Sequence, residues 1–135
     1  MKKILVGFDG SEGSEHALNR ALTIIDEFGE LILLAVVPTS EKLSFVDDNT
    51  YKALHKKADV LISTTIEDLG EQDFDMKGVV EEGDAAAKII DVANKLDVDL
   101  IVLGSKGESE IAQYPIGSVA NKVVQYAHKP VMVVR

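Results

Sequence analysis

The sequence predicts an α/β fold, a three-layer sandwich built on a mostly parallel sheet. Three observations carry this. Short runs rich in Val, Ile and Leu alternate with amphipathic stretches along the whole chain. Four of the five runs are nearly continuous in apolar residues, as strands covered by helices on both faces are. The resulting order, βαβαβαβαβ, places helix layers on either side of a sheet when its crossovers are right-handed.

The first strand-like run is Lys3 to Phe8, and Ser11 then offers an N-cap to a helix whose Ala17, Leu18, Ala21, Leu22 and Ile25 share one face. Glu30 to Val37 is the second strand. Pro38 to Asp48 is the one long irregular connection; its mixed composition fits a surface flap over a ligand or a plain spacer. A helix over about Thr50 to Leu69 carries Ala53, Leu54, Ala58, Leu61 and Ile62 at helical spacing. Asp75 to Glu81 is the third strand, and Asp84 caps a helix with Ala86, Ile89, Ile90, Ala93 and Leu96 on one face. The fourth strand is Asp99 to Leu103. Ser118 is the expected cap of the last helix, whose apolar face is Val119, Ala120, Val123, Val124 and Ala127, and Pro130 to Val134 closes the chain as the fifth strand.

The 135 residues fit one domain, and 46% apolar against 27% charged is the balance of a folded soluble protein. With no cysteine, disulfides and thiolate metal sites are excluded, which makes a reducing compartment, the cytosol, the expected location. Met1 to Val6 begins like a signal peptide, but Asp9 ends the apolar run too early. Leu31 to Val37 is too short to cross a bilayer, so no membrane role is expected. A formal charge of −9 repels polyanions and argues against nucleic acid as a partner. Any phosphate ligand must then be held locally, by backbone N–H groups and a metal counter-ion.

In open α/β sheets, ligands bind beyond the carboxyl ends of the strands. Those ends carry Asp9-Gly10-Ser11, Val36-Val37-Pro38 and Gly104-Ser105-Lys106-Gly107; after nine intervening residues comes Gly117-Ser118, at the start of the last helix. Glycines at 104 and 107 allow close backbone approach and an inward-pointing nest of N–H groups. Gly117-Ser118 sets a helix N-terminus opposite, so the two halves form a clamp for a phosphate chain. Neither GxxxxGK[ST] nor GxGxxG occurs. The same glycines also suit plain turn and cap positions, and the pattern alone leaves both open.

Written out, Gly104-x2-Gly107-x9-Gly117-Ser118 resembles the nucleotide-binding signature of the universal stress protein family, G-x2-G-x9-G-[ST], in both spacings and the final residue. The opening Lys2 to Ser11, the Gly83-Asp84 helix entry, the Asp99 to Gly104 strand and the closing Lys129 to Arg135 also resemble the family, so nearly the whole chain is covered. The resemblance implies a Rossmann-like five-stranded parallel sheet in the order 3-2-1-4-5, with its switch point between the first and fourth strands. It implies ATP as the ligand, with Mg2+ or Mn2+ held through the phosphates. Asp9 would contact the adenosine part and the Val36 backbone would recognise adenine. Gly104, Ser105, Lys106 and Gly107 would line the ribose and phosphates, while Gly117, Ser118 and Val119 would hold the phosphate tail through backbone N–H groups and the Ser118 hydroxyl. Asp9 also suits a turn ahead of the Ser11 cap. Glu108 and Glu110 depart from the neutral or basic residues the family would lead one to expect; they weaken binding, orient a hydrated cation, or are solvated loop charges. The stretch Ile111 to Ile116 is less apolar than the family tends to be.

Catalytic signals are sparse. His16 and His55 fall within predicted helices and His128 follows the last one; no GxSxG elbow and no metal-ligand spacing of His or Cys is present. A receiver-type phosphoacceptor role for Asp9 would need an acidic cluster and a separate acceptor strand end, which are missing. The expectation is an ATP-binding regulatory or stress-response protein with at most slow hydrolysis. It would act as a homodimer through the apolar edge Val131 to Val134. Its rivals are a nucleotide-free dimeric interaction protein of the same fold and a true ATP-hydrolysing or adenylyl-transferring enzyme.

Overall fold

The chain is described from a computed structural model, which covers residues 1–39, 48–105 and 117–135. Its elements run β1 (Lys3–Gly7), α1 (Glu12–Ile24), β2 (Glu30–Val37), α2 (Asp48–Leu69), β3 (Asp75–Glu82), α3 (Ala85–Lys95), β4 (Leu100–Gly104), α4 (Ser118–Tyr126) and β5 (Val131–Val134). All nine fall on the expected segments. The sheet is parallel, in the order β3-β2-β1-β4-β5. Ile4 on the central strand sits beside Leu31 on one side and Leu100 on the other.

Alternation along the strands divides the core in two. Ile4, Val6, Leu31, Leu33, Leu100 and Val102 point to the α1 and α2 face, where they pack with Ala17, Leu18, Ala21, Ala58 and Ile62. Leu5, Ile32, Leu34, Ile101 and Leu103 point to the other face and meet Ala86, Ile89, Val92, Ala93, Ala120 and Val123 from α3 and α4. This is why the central strands read as unbroken apolar runs: both pleat faces leave water, each large side chain contributing roughly 1.5–3 kcal/mol.

Two caps match expectation. The Ser11 hydroxyl accepts from the Ser14 N–H at 3.3 Å, and the Asp84 carboxylate accepts from the Ala87 N–H at 3.1 Å. The third differs. Gly117 is the N-cap of α4, with no side chain to offer, and Ser118 is the first helical residue. The face drawn for α4 is also narrower than expected. Ala120 and Val123 are buried, but Val119 and Val124 are exposed, because α4 flanks the sheet edge and packs chiefly on α3 and β5. Leu54 of α2 is likewise exposed, and the α2 stripe runs on through Ile66 and Leu69.

At the end of the sheet opposite the strands' carboxyl termini, side chains tie the turns together. The Lys3 ammonium donates to the Leu96 carbonyl at 3.0 Å, and its backbone N–H donates to the Asp99 carboxylate at 2.9 Å. Asp97, in the left-handed region at φ 50°, pairs with Lys129 across the α3–β4 and α4–β5 turns. The Lys129 ammonium, donating to Asp97 and attracting its charge, holds that carboxyl below the ordinary aspartate range. No helix of the described residues is long and apolar enough to cross a membrane.

Candidate functional site

The carboxyl ends of β1, β2 and β4 open into a cavity of about 520 Å³. Its lining combines apolar residues, Leu34 and Val36 of β2, Ala85 and Ile89 of α3, and Leu103 of β4, with the polar residues Asp9, Ser11, Ser14, Ser105 and Ser118. Such a pairing of apolar wall and few polar groups is the usual make-up of a small-molecule pocket. Among the described lining residues Asp9 is the single ionisable side chain.

The turn bearing Asp9 is fixed from two directions. Its carboxylate accepts from the Ser11 N–H at 2.9 Å, closing an Asx turn that leads into the α1 cap. Gly10 then takes φ 82°, a conformation glycine adopts at no steric cost, and a Cβ there would touch the Leu61 side chain of α2 at 3.3 Å. The turn that Asp9 was expected to make as a simple cap precursor and its place in the cavity wall therefore coexist.

The expected residues Asp9, Val36, Gly104, Ser105, Gly117, Ser118 and Val119 all line this one cavity. Lys106 and Gly107, with Glu108 and Glu110, lie outside the described residues, as does most of the Pro38 to Asp48 connection. Two of the glycines also have close backbone neighbours within the protein. A Cβ on Gly104 would lie 2.5 Å from the carbonyl carbon and oxygen of Gly13, so on its Cβ side Gly104 packs against the first turn of α1, while the residue also borders the cavity. The Gly117 N–H, expected to face phosphate, instead donates to the Ser105 carbonyl. That bond pins the start of α4 to the end of β4, which is itself held by the Ser105 N–H donating to Val134 at 2.7 Å.

With Gly117 spent in this way, the anion-favouring end of α4 begins one step later. The first bond within the helix runs from the Asn121 N–H to the Gly117 carbonyl at 2.9 Å. Upstream of it, Val119 and Ala120 have no carbonyl one turn back inside the helix, and both line the cavity. Helices α1 and α3 also begin here, so three helix N-termini border the same space.

Ser14 was not singled out from the sequence, although a signal existed: it stands one turn ahead of Ala17, Leu18 and Ala21 on the buried stripe of α1, a polar residue where the period calls for an apolar one. It is 5% exposed, and its hydroxyl donates to the Ser11 carbonyl at 2.9 Å. Leu34, Ala85, Ile89 and Leu103 were legible as core but not as cavity wall, since the same side chains serve both. The histidines stay apart: His16 lies 3.8 Å from Glu12 on the outside of α1, and His55 lies 3.2 Å from Asp59 on α2.

The model of the universal stress protein family matches residues 1–135. Universal stress protein MJ0531 of Methanocaldococcus jannaschii is 31% identical over 147 residues, covering 99% of this chain and 82% of its own length. Among solved structures, the protein MJ0577 of the same organism superposes with a TM-score of 0.82 at 30% identity, over 98% of this chain and 94% of that one. A universal stress protein solved in complex with cAMP superposes with a TM-score of 0.60 at 25% identity, over 99% of this chain and 97% of that one. With the family model, the sheet order and the signature glycines in agreement over the full length, the chain belongs to the universal stress protein family.

Proposed function

We propose that this protein is an adenine-nucleotide-binding regulatory module of the stress response, with ATP as its ligand and at most slow hydrolysis. The observation that carries the reading is the cavity itself: an apolar wall suited to a purine and the N-terminal turn of α4 suited to phosphate face one space at the switch point between β1 and β4. The cAMP complex of a related protein supports an adenine nucleotide as the ligand class. In this reading Val36 meets the base with its backbone, Asp9 the adenosine part, Gly104, Ser105, Lys106 and Gly107 the ribose and phosphates, and Gly117, Ser118 and Val119 the phosphate tail. Gly104 and Gly117 act as spacers that hold the flanking backbone in place.

A Mg2+ or Mn2+ ion would enter on the phosphates. Among the described residues no group of three or more His, Asp or Glu is placed to hold a metal, and Asp9 is the one charge those residues add to the wall. A protein of net charge −9 favours the metal-neutralised nucleotide over the free polyanion. No described histidine lies in the cavity wall, so the reading assigns no general base and treats the protein as a binder, not an efficient enzyme.

The test is the small molecule the protein carries from a reducing cytosol. Mass spectrometry of the supernatant after denaturation should find an adenine nucleotide, and calorimetry should show ATP binding that strengthens with Mg2+. A clean supernatant together with no calorimetric signal would instead support a nucleotide-free interaction protein. The proposed homodimer pairs through β5, an edge strand whose Val131, Met132, Val133 and Val134 all remain half-buried, in contrast to the charged β3 edge with Asp75, Lys77 and Glu82 exposed. Light scattering should report twice the chain mass at micromolar concentration, and a stable monomer would refute the pairing.

A further inference from the structure

We infer that Ser14 is a specificity-determining residue that reads a ribose hydroxyl of the bound nucleotide; this rests on the nucleotide reading above. A hydroxyl has one proton to donate and two lone pairs to accept with. The Ser14 proton is committed to the Ser11 carbonyl at 2.9 Å, so the oxygen faces its remaining partners purely as an acceptor. The residue is 5% exposed and borders the cavity, so a ligand hydroxyl in that cavity is the partner available to its remaining lone pairs.

The neighbouring polar group has the same sign. Asp9 accepts from the Ser11 N–H through one carboxylate oxygen, and a carboxylate is acceptor-only. Asp9, Ser11 and Ser14 are thus linked through one short segment that fixes two acceptors on one side of the cavity. Phosphate oxygens are acceptors themselves and gain nothing from such a wall. The base belongs against the apolar residues Leu34, Val36 and Ile89. The part of a nucleotide that carries two adjacent O–H donors is the ribose diol, and it matches the pair. A site built to satisfy a ligand hydroxyl discriminates against the analogue lacking it, because its own buried group is then left unpaired.

Calorimetric titration of the wild-type protein with ATP, 2′-deoxy-ATP and 3′-deoxy-ATP tests this, repeated on Ser14→Ala. Alanine preserves helix propensity at this position, and circular dichroism checks the fold. One deoxy analogue should bind wild type about 3- to 10-fold more weakly than ATP, the effect of one neutral hydrogen bond. In Ser14→Ala, ATP should weaken by that same factor while that analogue keeps its wild-type affinity, so the ratio collapses to one. A purely structural role would weaken all three equally. Wild type binding all three alike, or Ser14→Ala retaining the discrimination, overturns the inference while leaving the nucleotide reading intact. Wild type binding none of them overturns both.

Discussion

Gly104→Ala is the perturbation that best separates packing from ligand approach in the signature. The added Cβ would lie 2.5 Å from the carbonyl carbon and oxygen of Gly13 and 2.9 Å from its Cα. Carbon contacts settle at about 3.5–4.0 Å, so the strand end and the first turn of α1 must part by roughly 1 Å. The atoms struck are backbone and cannot swing aside as a side chain would. Overpacking of this kind costs about 1–3 kcal/mol, offset by about 0.4–1 kcal/mol from the stiffer unfolded chain. A net loss of about 1.3 kcal/mol in a chain of 135 residues lowers Tm by about 5 °C, taking ~2.1 cal/mol/K per residue for the unfolding entropy. Because the turn that moves carries Ser11 and Ser14, both in the cavity wall, nucleotide affinity should fall with stability. Calorimetric scanning and titration of the same preparation read both quantities. Wild-type Tm with abolished binding would refute the packing account and restore Gly104 to the role of a ligand-approach glycine. Wild-type values of both would mean that α1 yields freely.

Three further substitutions probe the clamp, the core and a surface ion pair. Gly117→Val sets branched methyls at the buried cap where β4 and α4 are pinned and phosphate is expected, so titration should show loss of ATP binding while circular dichroism shows a folded protein. Ile101→Ala truncates a fully buried side chain on the inner strand β4 and should cost about 2–5 kcal/mol in urea unfolding, with no direct effect on the cavity, which Ile101 does not line. For the Asp97–Lys129 pair the sign is set by the lowered carboxyl: its contribution is complete above the ordinary aspartate value near 3.9 and is lost as pH falls through the lower folded value. The side chain is largely exposed, so the effect is small. Asp97→Asn, tolerable at this positive φ, should be slightly less stable than wild type at pH 7, and the difference should vanish as acid protonates the Asp97 carboxyl of the folded protein. A difference independent of pH would refute the assignment.

The fold was legible because each strand and helix states its own environment. Residues 31 to 34 and 100 to 103 are apolar on both pleat faces, which only a doubly covered strand requires, and Ala17, Leu18 and Ala21 mark the single stripe by which α1 meets the sheet. Strand order was a different matter. Nothing in the periodicity says that β1 pairs with both β2 and β4; that came from the resemblance, and the sheet bears it out. The α4 face was overdrawn because a helical wheel cannot tell a helix laid over the middle of a sheet from one at its edge, where Val124 is left outside and Val119 borders the cavity.

The residues of the cavity show why site roles are harder to read than site positions. Spacing located Gly104 and Gly117 but could not supply their neighbours, which come from the distant Gly13 and from Ser105 across the 106–116 connection. A glycine motif records where backbone must come close, and the close partner can be ligand or protein. In this chain the described contacts of both glycines are to protein backbone. The cavity wall also holds groups that the glycine spacing does not name, among them the Ser14 oxygen and the Asp9 carboxylate. If the inferred role of Ser14 holds, selectivity rests on a residue of α1 that packing buries. Substitutions in the stripe 14, 17, 18 and 21 should then divide by chemistry, those at the three apolar positions altering stability and those at Ser14 altering which nucleotide is held.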